Sequence, residues 1–217
     1  MLTYTQDTLM RFIARQPLMF IDDECVIHHI PNMTRDIFAT VLASMQMNVG
    51  AEVGVERGDF SKTLMRANPL LHLYGVDPWT ALPDYRVHLT QAFMDEMYER
   101  VCTRLRRYHW TPIRCMSEDI GDQIPDGSLD FVYIDANHEY THVLRDLDIW
   151  TKKVRRGGII SGHDYTLERQ REPNGVVAAV NKWTADHDIK PWFVLGSDEY
   201  VVGEVRDRAR SFFWVNP

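Results

Sequence analysis

From residue 49 onward, short apolar runs alternate with longer amphipathic stretches, and that alternation limits the fold more than any other feature of the chain. Residues 49–55, 71–76, 110–115, 129–134 and 158–162 read as strands. Helices are expected from near Phe60, over 86–107, briefly from Ser117, over 139–153 and over 175–187. In the long helix Met94, Met97, Val101 and Leu105 recur every three or four residues, and Val143, Leu147, Trp150 and Val154 do so later, which places each set on one buried face. Strands that return through helices build a mainly parallel sheet covered on both sides, because each crossover is right-handed. The expectation is a doubly wound α/β fold. Trp192 to Leu195 and Phe212 to Val215 have no helix between them and suggest an antiparallel C-terminal hairpin at the sheet edge, with Tyr200 to Val205 as its extension. These bring the expected sheet to seven strands. Ahead of it, residues 4–15 and 34–47 look helical, the second with Thr34 as N-cap and Ile37, Val41, Leu42 and Met45 on one face.

With 217 residues, 45% of them hydrophobic, and no repeat or polar tract, the chain reads as a single domain over 1–217, with N-terminal helices in 1–47 and a core over 48–217. Cys25, Cys102 and Cys115 show no Cys-x-x-Cys spacing, and the N-terminus lacks a signal-peptide pattern, so a cytoplasmic protein is expected. No apolar run approaches the roughly 20 residues of a membrane span. A formal charge of −7 disfavours a non-specific grip on nucleic acid. Arg104, Arg106 and Arg107 end a helix, where cations complement the macrodipole, and read as a solvated helix end. Trp79, Phe93, Trp110 and Tyr165 sit at spacings more common in cores than in pockets. One chain leaves room for a homo-oligomer without specifying one.

Open α/β sheets bind ligands at the carboxyl ends of their strands. After the first strand, residues 51–61 read Ala-Glu-Val-Gly-Val-Glu-Arg-Gly-Asp-Phe-Ser, where Gly54 and Gly58 let backbone pass close to a ligand. A dinucleotide fingerprint needs glycine at the place of Glu56, and a P-loop needs Gly-Lys-Ser/Thr; neither is present. Glu52 would repel a pyrophosphate and suit a ligand with an amino group. The second strand ends in Asp77, either a ribose-binding carboxylate or a turn residue before Pro78.

This pairing resembles the class I S-adenosylmethionine-dependent methyltransferases, whose first motif is acidic-x-Gly-x-x-x-Gly and whose second strand ends in an acid. The resemblance spans about residues 49–187. It implies a Rossmann-like methyltransferase fold with Glu52, Gly54, Gly58 and Ser61 around the methionine part of the cofactor, Asp77 at the ribose, and Ser117 with Glu118 at the adenine. Ser117 and Glu118 also suit a helix N-cap and its first turn.

Asp135 and His138 follow one strand and His163 and Asp164 the next, a convergence that can bind a divalent ion. The plain alternative gives the acids to turn capping and the histidines to structural hydrogen bonds. The spacing resembles the macrocin-type sugar and the catechol O-methyltransferases. That resemblance implies a metal held by Asp135 and the pair His163 and Asp164, and an Asp-x-x-base pair formed by Asp135 and His138. His163 departs from the acid of the pattern: it either stands behind the ligands or favours manganese over magnesium. The implied activity is methyl transfer from S-adenosylmethionine to a hydroxyl of a small molecule, with His138 as general base. A silent adenosine-binding module and a nucleotide-dependent oxidoreductase are the alternatives; intact Asp135 and His138 oppose the first, and Glu56 the second.

Overall fold

The computed structural model describes residues 26–81, 89–166, 175–199 and 201–217. The helix expected over 4–15, the first residues of the helix expected over 86–107, Cys25 and Tyr200 lie outside them. In chain order the elements are β1 (Ile27–Ile30), α1 (Arg35–Ser44), β2 (Val49–Val53), α2 (Asp59–Ala67), β3 (His72–Val76), α3 (Gln91–Leu105) and β4 (Trp110–Ile113). After 3-10 turns at Ser117–Asp119 and Gly121–Gln123 come β5 (Leu129–Ile134), α4 (Tyr140–Lys153), β6 (Val154–Gly162), α5 (Gly175–Asp186), β7 (Trp192–Leu195) and β8 (Phe212–Val215).

The strands form one sheet of order β1-β7-β8-β6-β5-β2-β3-β4. All neighbours are parallel except β8, which runs antiparallel to both β6 and β7. The fold is therefore the expected doubly wound, Rossmann-like α/β architecture, with eight strands instead of seven. The additional strand is β1, and it corrects the place of the hairpin. β7 and β8 do not make the edge: β1 covers β7, pairing Ile27 with Trp192 and Ile30 with Leu195. An unpaired β7 would expose a row of backbone donors and acceptors, and β1 occupies that row. Residues 202 and 203 form a turn and no strand runs through 201–205, so they do not extend the hairpin.

Each strand sorts its side chains by alternation. In β5, Phe131 and Tyr133 join the core under α1, α2 and α3, whereas Val132 and Ile134 join the core under α4 and α5. Thr34 caps α1, its hydroxyl accepting from the Ile37 N–H at 3.3 Å. The buried face of α1 is Phe38, Ala39, Val41 and Leu42, so Phe38 takes the place expected of Ile37, which is exposed. On α3 Met97, Val101 and Leu105 are buried as expected, and so are Val143, Leu147 and Trp150 on α4. Among the described residues no helix is long and apolar enough to cross a membrane.

From β2 the chain proceeds to β3 and β4 on one side and returns to β5 on the other. This reversal opens a crevice at the carboxyl ends of β2 and β5, the place where such sheets hold ligands. Gly54 marks the closeness of the two ends, because a Cβ there would lie 2.1 Å from the Asp135 carbonyl oxygen.

Candidate active site

A cavity of about 520 Å³ occupies that crevice. Its floor is the loop after β2. Gly54 has φ +89° and Glu56 φ +49°, and the Gly54 N–H donates to the Val76 carbonyl at 2.8 Å. A non-glycine residue in the left-handed region, as at Glu56, is retained where the surroundings over-determine it. Here Asp77 supplies the constraint. Its Oδ2 accepts from the N–H groups of Val55 and Glu56, both at 3.0 Å, and its Oδ1 from the Trp79 N–H at 2.8 Å. The Trp79 indole N–H in turn donates to the Glu56 carbonyl at 3.0 Å. Asp77 thus faces the cavity while bracing both loops, and burial raises its pKa against the pull of those amides.

Glu52 is 3% exposed and accepts a hydrogen bond from the Ser61 hydroxyl. Burial pushes its pKa up to about 8. Glu52 and Gly54 line the cavity; Gly58 and Ser61 do not. Gly58, at φ +69°, begins α2 and backs onto Val101 and Leu105, while Ser61 is fully buried behind Glu52. Ser117 and Glu118 line the opposite wall. The Ser117 hydroxyl donates to Asp146, and Glu118 pairs with Arg145.

At the mouth, the four residues expected to converge do so. His138 Nε2 lies 3.4 Å from Asp135 and 3.2 Å from Asp164, and His163 Nδ1 lies 3.6 Å and 3.1 Å from the same two carboxylates. Among the described residues, Asp135, His138 and Asp164 are the set whose ligand atoms all fall within 4.8 Å of one another. His163, only 14% exposed, contacts both carboxylates but falls outside that set. Asp164 has φ +60°. Burial alone would raise its pKa, but the His163 hydrogen bond and the nearby cationic groups outweigh burial and lower it. The loop bearing His138 is backed by α5, since a Cβ on Gly175 would lie 2.4 Å from the His138 carbonyl oxygen.

Three cavity residues escaped the sequence reading. Arg35, the first residue of α1, places its guanidinium 3.7 Å from Asp135 and over the Phe60 ring at 5.1 Å. His142 and Asp146 lie four residues apart on α4, and burial pushes Asp146 up to about 6. Their i, i+4 spacing, just after the Asp135–His138 loop, was the available signal. Arg35 left no comparable trace beyond a cation beside an N-cap. Of the four aromatic residues, Trp79 and Tyr165 are buried and Trp110 packs against the core, as expected, whereas Phe93 is exposed; none of the four lines the cavity. Arg104 is not merely solvated, because it pairs with Asp59 and donates to the Arg57 carbonyl at 3.0 Å, tying α3 to the glycine loop.

The sequence profile of the methyltransferase domain family matches residues 51–165, more than half of the chain. An uncharacterized protein of Acanthamoeba polyphaga mimivirus is 27% identical over 135 residues, which span 62% of this chain and 58% of that protein. Among solved structures, a candidate caffeoyl-CoA O-methyltransferase of Staphylococcus aureus aligns over 100% of this chain and 93% of its own, with a TM-score of 0.58 and 13% identity. The O-methyltransferase TomG of Streptomyces achromogenes, solved with S-adenosylmethionine, aligns over 84% and 80%, with a TM-score of 0.53 and 16% identity. The N-methyltransferase NodS of Bradyrhizobium japonicum aligns over 84% and 94%, with a TM-score of 0.55 and 14% identity. At such identities the likeness is one of fold.

Proposed function

Because the chain belongs to the methyltransferase domain family, we propose that it transfers the methyl group of S-adenosylmethionine to a hydroxyl of a small-molecule acceptor, with a divalent cation assisting at Asp135 and Asp164. The observation that carries this reading is the continuity of the cavity, which runs from Glu52, Gly54 and Asp77 past Ser117 to Asp135 and His138. A site of nucleoside size and a set of acid–base groups share one space.

The residues fit both groups. Glu52 is a buried carboxylate suited to the ammonium of a methionine moiety, and Gly54 leaves backbone where a side chain would intrude. Asp77 already spends three acceptor positions on backbone amides, so ribose hydroxyls would share it with the neighbouring Glu56. Ser117, Glu118 and Asp146 offer polar edges to an adenine. Two carboxylates beside imidazoles suit a borderline ion such as manganese, or magnesium with waters completing the shell.

When bound, the sulfonium supplies the methyl group and the cation lowers the pKa of a coordinated hydroxyl. The protein's part is alignment and proton removal. The β2 and β3 loops, braced by Asp77, fix the donor end, and Asp135 and Asp164 hold the acceptor end. His138, 41% exposed on the open side of the cluster, takes the proton at Nε2. A second reading is favoured by the proximity of His138 to both acids: Nε2 would instead complete the metal's ligand set. One lone pair cannot do both, so the two roles exclude each other.

Calorimetric titration with S-adenosylhomocysteine and, separately, NAD, each with and without magnesium or manganese, tests the assignment. Saturable binding of S-adenosylhomocysteine alone is expected. Binding of neither, or of NAD alone, overturns it.

A further inference from the structure

We propose that Arg35 forms a subsite for a carboxylate on the acceptor, so that the acceptor class is a hydroxylated carboxylic acid and not a neutral alcohol or phenol. The inference rests on the methyltransferase reading and specifies its substrate. Arg35 is held from three sides. Its backbone N–H donates to Asp207 at 2.6 Å, its guanidinium lies over the Phe60 ring at 5.1 Å, and it pairs with Asp135 at 3.7 Å. Such bracing orients a planar fork of five N–H donors, the geometry that matches a carboxylate two bonds at a time.

The fork is not used up by the protein. Its approach to Asp135, at 3.7 Å, is an ion pair too long for a hydrogen bond, and the side chain is 32% exposed into the cavity. Nor does its position serve the helix. A cation in the first turn of α1 meets the positive end of the macrodipole, which favours an acid there. Arg35 is therefore placed for the cavity and against the preference of its own element.

Charge gives the subsite its condition. Asp135 and Asp164 set two carboxylates against the single Arg35 guanidinium, and Glu56 and Asp77 add carboxylates along the walls. An anion is repelled by this set. A dication at the two acids inverts the local sign, and a singly charged carboxylate then meets attraction from both sides. Carboxylate binding is thus expected to depend on the metal and on Arg35 together.

The test compares 2,3- and 3,4-dihydroxybenzoate with 1,2-dihydroxybenzene by calorimetric titration, with manganese present or absent and with S-adenosylhomocysteine present or absent. In the presence of manganese, at least one benzoate is expected to bind the unaltered protein about tenfold or more tightly than 1,2-dihydroxybenzene. Arg35→Gln should abolish that difference and Arg35→Lys should keep part of it, while S-adenosylhomocysteine binds each variant within about twofold of the parent. Equal binding of acid and neutral probes, or a preference that survives Arg35→Gln or the removal of manganese, overturns the proposal. Failure of S-adenosylhomocysteine to bind overturns the cofactor reading separately, because the probe comparison is also made in its absence.

Discussion

Replacing Gly54 with alanine tests whether the close approach of the β2 and β5 ends builds the site. The added Cβ would lie 2.1 Å from the Asp135 carbonyl oxygen and 2.8 Å from the Ala136 Cα, whereas ordinary contact begins near 3.4 Å. Both obstacles are backbone, so no side chain can swing away. The loops must separate by about 1 Å, and close-packed interiors absorb such shifts poorly. The residue also has φ +89°, which costs an L side chain ~1–2 kcal/mol. Gly203 isolates that second effect, because its φ is +86° and a Cβ there meets nothing within 4 Å. We expect Gly203→Ala to lose about 1 kcal/mol and Gly54→Ala about 3 kcal/mol or more, as overpacking adds to the backbone cost. Urea unfolding measures both, and titration with S-adenosylhomocysteine and manganese reads the site. Gly54→Ala should weaken both ligands, since the displaced atoms belong to the Asp135 loop. If the two variants lose equal stability and Gly54→Ala binds both ligands normally, the close approach does not shape the site.

Other expectations are more local. Glu52 has its folded-state pKa raised from 4.5 to about 8, so its protonated form favours the folded state below pH 4.5 and that contribution fades as pH rises through 8. Each pH unit in that window costs about 1.4 kcal/mol at most, so Glu52→Gln should gain on the parent by a few kcal/mol between pH 5 and pH 8; parallel unfolding curves would refute this. His138→Ala should leave S-adenosylhomocysteine affinity within about twofold and lower turnover ~100-fold or more. Unchanged turnover ends its role as base, and a large loss of manganese affinity favours the ligand role instead. Asp77→Ala removes the acceptor from three backbone N–H groups and should cost ~2–4 kcal/mol together with most cofactor affinity, whereas stability kept within 0.5 kcal/mol would show that the loops hold without it.

The strands from β2 to β6 were legible because each is a short apolar run closed by a polar turn, and the site residues at their ends followed from that placement. Glu52, Gly54, Asp77, Ser117, Asp135, His138 and Asp164 all reached the cavity or its mouth. What escaped depends on partners remote in sequence. Ile27-His28-His29-Ile30 carries two polar residues in four and buries only alternate positions, and it becomes a strand because β7 offers an edge. The position of β8 between β6 and β7 is a choice of pairing partner, which no local pattern encodes. Arg35, His142 and Asp146 sit on helices and not at the strand ends that mark ligand sites in such sheets. Gly58 and Ser61 matched a motif, yet one turn of α2 carries them behind the wall that Glu52 faces.

The strand pairings also differ in how much chain they close. β2–β3, β5–β6 and β7–β8 join residues close in sequence, as Phe193 with Phe213, whereas β2–β5 joins Gly50 to Phe131 and β1–β7 joins Ile27 to Trp192. Pairs remote in sequence must order the intervening chain before their contacts reward it, which slows their formation. The crevice opens at one such remote pair, so its floor depends on a long-range closure and not on a local unit.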